Sequence, residues 1–339
     1  MTRAGLIRTI AAVAFGLCLI VVVLGAYVRL SDAGLGCPDW PGCYGHLSPI
    51  GAAANSADIA TRYATPLDAG KAWREMIHRY AASVLGLLIV LIAVLAYVWR
   101  RDRVLAPIYS FGLVGIVILQ GVLGMLTVTW QLKPLIVTLH LLFGLFTLSL
   151  LWWLVLTLGR RRGGAWSATT SFVGASLVRA RHIAAVALAA LALQIALGGW
   201  TSSNYAAVAC PDFPRCQGAW WPEADFDSAF VLWHGLGVNY EGGVLDQPAR
   251  VAIHFTHRLG AVLAVIMLLW ASITVLRNRS DGSARHAAYA VVIALALQFG
   301  IGVSTVLFGF PLWLATAHNA GAAVLLLATV ALNRALRPA

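Results

Sequence analysis

The sequence predicts an all-α integral membrane protein in which eight transmembrane helices form two pseudo-symmetric four-helix bundles. Three observations carry that reading. Hydrophobic residues make up 60% of the 339-residue chain and charged residues only 11%, roughly half the charge of an ordinary soluble domain. The apolar residues collect into continuous runs of about 20, the length a helix needs to cross a bilayer, without the alternation of barrel strands. The chain is also written twice. Residues 25–45 align without a gap with 198–218, and Gly25, Ala33, Cys37, Pro38, Asp39, Pro41, Cys43 and Gly45 all have identical counterparts.

The first run, 7–28, follows Arg3 and Arg8. It is too long for a usual signal-peptide core and has no clear small-x-small cleavage site, so it reads as a retained helix. The second, 80–99, follows Glu75-Met76-Ile77-His78-Arg79 and stops at Arg100-Arg101. The third and fourth, 105–128 and 135–158, precede the arginines 160–162, with His140 near the start of the fourth. The fifth, 183–202, follows Arg179 and Arg181, and the sixth, 257–276, opens at His257-Arg258. The seventh and eighth are 287–308 and 312–333, with His318 near the start of the last. The repeat continues through them: Leu119-Gln120 matches Leu297-Gln298, and Gly124, Thr127 and Val128 match Gly302, Thr305 and Val306. The expected organisation is an amino-terminal half, 1–159, a cytoplasmic linker, 160–182, and a carboxy-terminal half, 183–339. The halves share one orientation, as parallel repeats do.

The net charge of +11 is unevenly placed. One membrane face collects Arg3, Arg8, Arg100, Arg101, Arg103, Arg160, Arg161, Arg162, Arg179, Arg181, Arg277, Arg279, Arg285, Arg334 and Arg337 against Asp102 and Asp281. The other holds nine Lys or Arg against eleven Asp or Glu, which makes +13 against −2. By the positive-inside rule both termini are cytoplasmic. The basic balance then reports topology and contact with anionic lipid, not nucleic-acid binding. Two loops, about 30–77 and 203–253, lie on the opposite side, where disulfides persist. Each carries Cys-Pro-Asp-aromatic-Pro-x-Cys, whose proline-rich turn would bring Cys37 to Cys43 and Cys210 to Cys216. Such disulfides either staple the loops or pass electrons inward, and sequence does not choose between these. Cys18, mid-helix, reads as a buried small hydrophobe.

The histidines carry the chemistry. His78 and His140 stand 62 residues apart, and His257 and His318 stand 61 apart. Two imidazoles on different helices are what a haem iron takes as axial ligands, and a four-helix bundle can clasp one planar haem. Two such pairs predict two tetrapyrrole sites, with each histidine at the opening of its helix. His46 and His234 fall in loops and His182 and His286 beside arginines, and all four read as solvated or interfacial. Glu75, three residues before His78, lies on the same helix face and would either orient the imidazole or accept protons. Its counterpart is His254, so the two sites are not equivalent, and His254 is a possible competitor of His257. Arg79 and Arg258, next to the ligands, suit haem propionates or anchor the helix ends.

These residues resemble the haem A synthase family over essentially the whole chain. The resemblance rests on the two halves, the histidine pairs, Glu-x-x-His-Arg and the cysteine loops. The segment Gly237-Val238-Asn239-Tyr240-Glu241-Gly242-Gly243 looks like the proteobacterial branch. It implies that His78 and His140 hold haem O as substrate, that His257 and His318 hold a resident haem b, and that Glu75 is catalytic. It further implies oxidation of a porphyrin methyl group to formyl through a hydroxymethyl stage. The setting would be the bacterial inner membrane, with haem O synthase and terminal-oxidase assembly factors as possible partners. Three other classes compete. A di-haem b-type quinone oxidoreductase explains the histidines but neither the single Glu75 nor the cysteine loops. A thiol–quinone oxidoreductase explains only the cysteines. A transporter on parallel repeats would need broken helices or intramembrane charges.

Overall fold

The computed structural model describes residues 2–55, 59, 61–63, 66–102, 107–160, 175–277 and 282–337. Eight long helices dominate: α1 (Arg3–Leu30), α2 (Ala69–Val98), α3 (Pro107–Thr129), α4 (Pro134–Arg160), α5 (Ala175–Ser203), α6 (Gln247–Arg277), α7 (Gly282–Leu307) and α8 (Leu312–Ala335). Each is long and apolar enough to cross a bilayer, so the chain is an all-α, multi-pass membrane protein. Most of the expected linker, residues 161–174, lies outside the described residues, as do Arg103, Arg161, Arg162, Arg279 and Asp281 of the charge pattern.

Two helices start well before their apolar runs. Helix α2 opens at Ala69, where Asp68 caps it by accepting the Lys71 amide at 3.0 Å. Helix α6 opens at Gln247, with Asp246 accepting the Ala249 amide at 3.2 Å. Their first turns carry Lys71, Arg74, Glu75 and Arg79, or Arg250, His254, His257 and Arg258. These polar residues hide the helix from a hydropathy reading although its backbone bonds continue. His78 and His257 therefore do not open their helices. They lie about 14 Å inside, at 1.5 Å per residue.

Helix α1 packs on α2 and α4, and α3 packs on the same two. Likewise α5 and α7 each pack on α6 and α8. The two sets meet where α4 touches α5 and where α8 touches α1 and α4. The buried face of α1 is Ile7, Ala11, Ala14 and Cys18, each at most 2% exposed. This is a helical stripe of mostly small side chains that lets a neighbour approach closely. Polar groups at the junction are paired, as a lipid-immersed bundle requires. Trp152 Nε1 of α4 donates to the Leu327 carbonyl of α8 at 3.1 Å and Arg334 Nε of α8 to Thr157 Oγ1 of α4 at 3.1 Å, while within the second set Asn333 Nδ2 donates to the Ala184 carbonyl at 3.0 Å.

A strap crosses the disulfide end. Lys133, buried in the α3–α4 turn, donates its ammonium to the Gly235 carbonyl and sits 3.0 Å from the Trp233 ring centroid. The Tyr240 amide donates to the Gln131 carbonyl at 3.1 Å. The α5–α6 loop is thereby tied to the α3–α4 turn, and this is what the Gly237–Gly243 segment does structurally.

Candidate functional site

Every histidine of the two pairs rests on a glycine of the preceding long helix. A Cβ at Gly25 of α1 would lie 3.0 Å from Cε1 of His78 on α2. The distance is 3.3 Å for Gly124 beneath His140, 3.1 Å for Gly198 beneath His257 and 2.8 Å for Gly302 beneath His318. The same register, helix over helix, thus recurs four times. The repeat alignment had paired Gly25 with Gly198 and Gly124 with Gly302 without giving any of them a task. His78 and His140 are near enough for their charges to interact, as are His257 and His318. All four imidazoles are half-buried.

This arrangement fits a haem. Two imidazoles from different helices converge, Nδ1 of His78 and of His140 is buried without a hydrogen-bond partner, and the glycine floors leave the ring edges room. Among the described residues, no three His, Cys, Asp or Glu side chains gather as a bare metal ion would require. Paired axial ligation of a macrocycle needs only the two.

The cysteines form the Cys37–Cys43 and Cys210–Cys216 disulfides, with Cα–Cα 4.7 Å in each. Each loop is knotted by the aspartate of its Cys-Pro-Asp. Asp39 accepts the amides of Tyr44 at 2.6 Å and Gly45 at 2.7 Å, and Asp212 those of Gln217 at 2.6 Å and Gly218 at 2.8 Å. Gly45 and Gly218 have φ of +77° and +76°, which explains the shared glycine. Burial penalises the Asp212 carboxylate, but the Gly218 and Gln217 amides outweigh it and hold it below the usual carboxylate range.

Arg79 and Arg258 clamp these loops from below. Arg79 donates to the carbonyls of Asp39 at 3.0 Å, Pro41 at 3.2 Å and Gly42. Arg258 donates to those of Cys210 at 2.9 Å, Asp212 at 2.8 Å and Arg215 at 2.7 Å. Any haem carboxylate has to share these donors with the loop backbone.

Glu75 is 4% exposed. One carboxylate oxygen accepts the Cys37 amide at 2.8 Å, and the other pairs with the Arg79 guanidinium. It does not orient His78, whose Nδ1 has no partner. The arginine one turn along and the loop amide take both oxygens. In the second half His254, 5% exposed, packs its ring 6.3 Å from that of Phe310.

A family model described as COX15-CtaA, cytochrome oxidase assembly protein, matches residues 8–330. The chain belongs to this family. It is 40% identical over 326 residues to a "Heme A synthase" of Shewanella oneidensis, a match covering 93% of this chain and 92% of the relative. It is 29% identical over 352 residues to one of Methylobacterium radiotolerans, covering 97% and 89%. A further relative of that name, from Methylorubrum extorquens, is 30% identical over 334 residues, covering 91% and 81%. Within this COX15-CtaA chain the informative feature is the inequality of its halves. Only the first places a carboxylate one turn before its histidine and ties it to a disulfide loop. Sequence reasoning missed Asp39 and Asp212, although their place in both loops was a signal. It also missed Gln194, whose counterpart is Val21 and which no repeat signal marks.

Proposed function

We propose that this protein is a haem A synthase, oxidising the methyl group of haem O to formyl for use by a terminal oxidase. The carrying observation is the buried Glu75, present in one half only and held between Arg79 and the Cys37 amide. The relatives' shared name and the COX15-CtaA family support the same reading. In it, residues 1–159 form the substrate half, where His78 and His140 hold haem O by its iron. Residues 183–339 form a pseudo-symmetric second half, where His257 and His318 hold a resident haem b, and 160–182 joins the two. When bound, the resident haem supplies one-electron transfer.

The substrate changes from methyl to hydroxymethyl and then to a hydrated aldehyde, which loses water to give formyl. Counted against water as the oxygen source, each oxidation releases two protons and two electrons, the electrons leaving one at a time through the resident haem to a one-electron acceptor outside this chain. Glu75 is the group placed to take a proton, and Arg79 holds it in position to do so. Arg79 and Arg258 keep the disulfide loops over the sites, where a propionate can share their donors. The +13 against −2 charge division supports cytoplasmic termini in a bacterial inner membrane. The farnesyl tail of haem O would reach the site from lipid, and haem O synthase or oxidase assembly factors would be partners.

The test is co-production with haem O synthase, followed by extraction and mass spectrometry of the membrane haems. Haem A or a hydroxymethyl intermediate, absent from a vector control, is the expected result. Haem B with unchanged haem O, from folded and haem-loaded protein, would instead mean a di-haem electron carrier.

A further inference from the structure

An apolar cavity of about 340 Å³ lies between α4, α5 and α8, where the two sets of helices meet. On α4 it runs from Leu142 to Trp153, about 16 Å at 1.5 Å per residue. That is close to the roughly 15 Å of hydrocarbon in one leaflet. Phe146, 47% exposed, and the exposed Ala192 stand at its mouth, so it opens toward lipid. The one hydroxyl among its lining residues, on Ser149, is spent on the Leu145 carbonyl at 2.8 Å. Water has no partner there, and an empty apolar space forfeits dispersion contacts on every side. Ser149 also lies nine residues beyond His140, half a turn round the helix from it. The cavity thus faces away from the imidazole that rests on Gly124 and is not part of the histidine site.

The corresponding place between α8, α1 and α4 is filled. At the spacing that separates Gly25 from Gly198, Leu188 of α5 corresponds to Phe15 of α1. At the spacing that separates His140 from His318, Val330 of α8 corresponds to Trp152 of α4. Phe15 and Trp152 stack with ring centroids 5.0 Å apart, and the Leu327 carbonyl pins the indole. Leu188 and Val330 both line the cavity. The space exists because two aromatic side chains of the first half are aliphatic in the second.

Arginines stand at one end of it. Trp153 is the last lining residue on α4, and the guanidiniums of Arg334 and Arg337 lie 5.5 and 5.1 Å from its ring centroid. Arg334, one turn beyond Val330, is buried and braced on Thr157 Oγ1, whereas Arg337 is exposed. Arg181, two turns before Leu188 on α5, donates its Nε to the Leu336 carbonyl at 2.6 Å, beside Arg337. Guanidiniums gathered in this way suit a phosphate, which they can bind through paired N–H donors.

We propose that the cavity and its arginines form a binding site for one anionic phospholipid from the leaflet on the arginine-rich side. An acyl chain fills the cavity, and the phosphate sits on Arg337 and Arg181. Arg334 holds Trp153 in place between the two parts. Basic pockets between helices on the cytoplasmic side take acidic headgroups by the same physics. Seated there, the lipid fills the seam and joins α4 of one set to α5 and α8 of the other. This site goes beyond the haem chemistry and does not rest on it.

The experiment uses the full-length protein as purified, stripped of lipid in detergent and titrated with dioleoyl phosphatidylglycerol. Bound lipid is counted by native mass spectrometry. One tightly held molecule is expected, with phosphatidylcholine of the same chains about 5- to 25-fold weaker, the weight of one or two arginines. Arg337→Gln and Arg181→Gln should each weaken it about fivefold. Arg179→Gln, in a separate groove beside Trp270, should leave it unchanged. Val330→Trp should abolish the tight site while haem content stays at the wild-type level. Dihexanoyl phosphatidylglycerol should bind more weakly than the dioleoyl lipid, and inorganic phosphate should not displace it. Equal binding of the two headgroups, equal loss from Arg179→Gln, or displacement by phosphate alone would overturn the proposal. So would tight binding in Val330→Trp, or short chains held as well as long ones. If Val330→Trp fails to fold, the chain-length comparison on the wild-type protein decides.

Discussion

Replacing Gly302 by alanine should loosen the haem of the carboxy-terminal half while the bundle still folds. The added Cβ would lie 2.8 Å from Cε1 of His318, about 0.7 Å inside the roughly 3.5 Å at which carbon atoms rest against each other. The ring cannot easily swing away, because Gln298 holds both its Nδ1 side and the backbone beneath it. Helix α7 would have to shift instead. Overpacking of this kind costs about 1–3 kcal/mol, which at about 1.4 kcal/mol per decade corresponds to binding about 5- to 150-fold weaker. The control is one half-turn away: a Cβ at Gly300 meets nothing within 4 Å, so Gly300→Ala should leave haem content unchanged. Haem per polypeptide is read as the pyridine haemochrome after detergent purification, and its loss is followed by transfer to apomyoglobin. Wild-type retention in Gly302→Ala, or equal losses in both variants, would refute the idea that the glycine floor shapes the site.

Glu75→Gln keeps the volume and an acceptor for the Cys37 amide, so haem binding should survive. Haem A formation should fall about 10²- to 10⁴-fold, the usual weight of a general acid–base group, as quantified in haem extracts; undiminished product would strip Glu75 of its catalytic role. Exchanging Cys37 and Cys43 for serine opens a small loop worth about 2 kcal/mol in the chain-entropy account. A staple then shows up as lower folded yield with normal turnover per folded molecule, and a relay as normal yield with lost turnover. The Asp212 carboxylate sits below its usual range when folded, so its stabilising effect is complete above the unfolded carboxylate pKa of about 4 and is lost as pH falls through the lower folded value. The second loop should accordingly loosen in acid, visible in Trp220 and Trp221 emission, and Asp212→Ala should remove that acid transition.

The sequence read well wherever the signal runs along the chain. Continuous apolar runs gave eight helices, and C-x5-C around proline gave both disulfides, because neither needs a distant partner. Where polar side chains share a helix with apolar ones, the same reading shortened it. Helices α2 and α6 begin about ten residues earlier than their hydropathy does, since a helix is held by its backbone and not by what its side chains prefer. The histidine spacing and the Glu75/His254 substitution were legible because duplication sets the two copies side by side on the page. Arg79 and Arg258 were legible as important but not as loop clamps, since their partners are carbonyls about 40 residues away that any sequence would supply.

By composition and repetition, then, the chain alone determines an eight-helix membrane protein with two histidine pairs, two paired-cysteine loops and one odd carboxylate. What touches what at the sites was decided only by the fold. Gly302 under His318, Gln194 against His257 and Glu75 between Arg79 and the Cys37 amide all depend on which helix faces meet and at what height. In a bundle immersed in lipid that choice belongs to close packing and to the pairing of each buried polar group, and both are properties of neighbours in space.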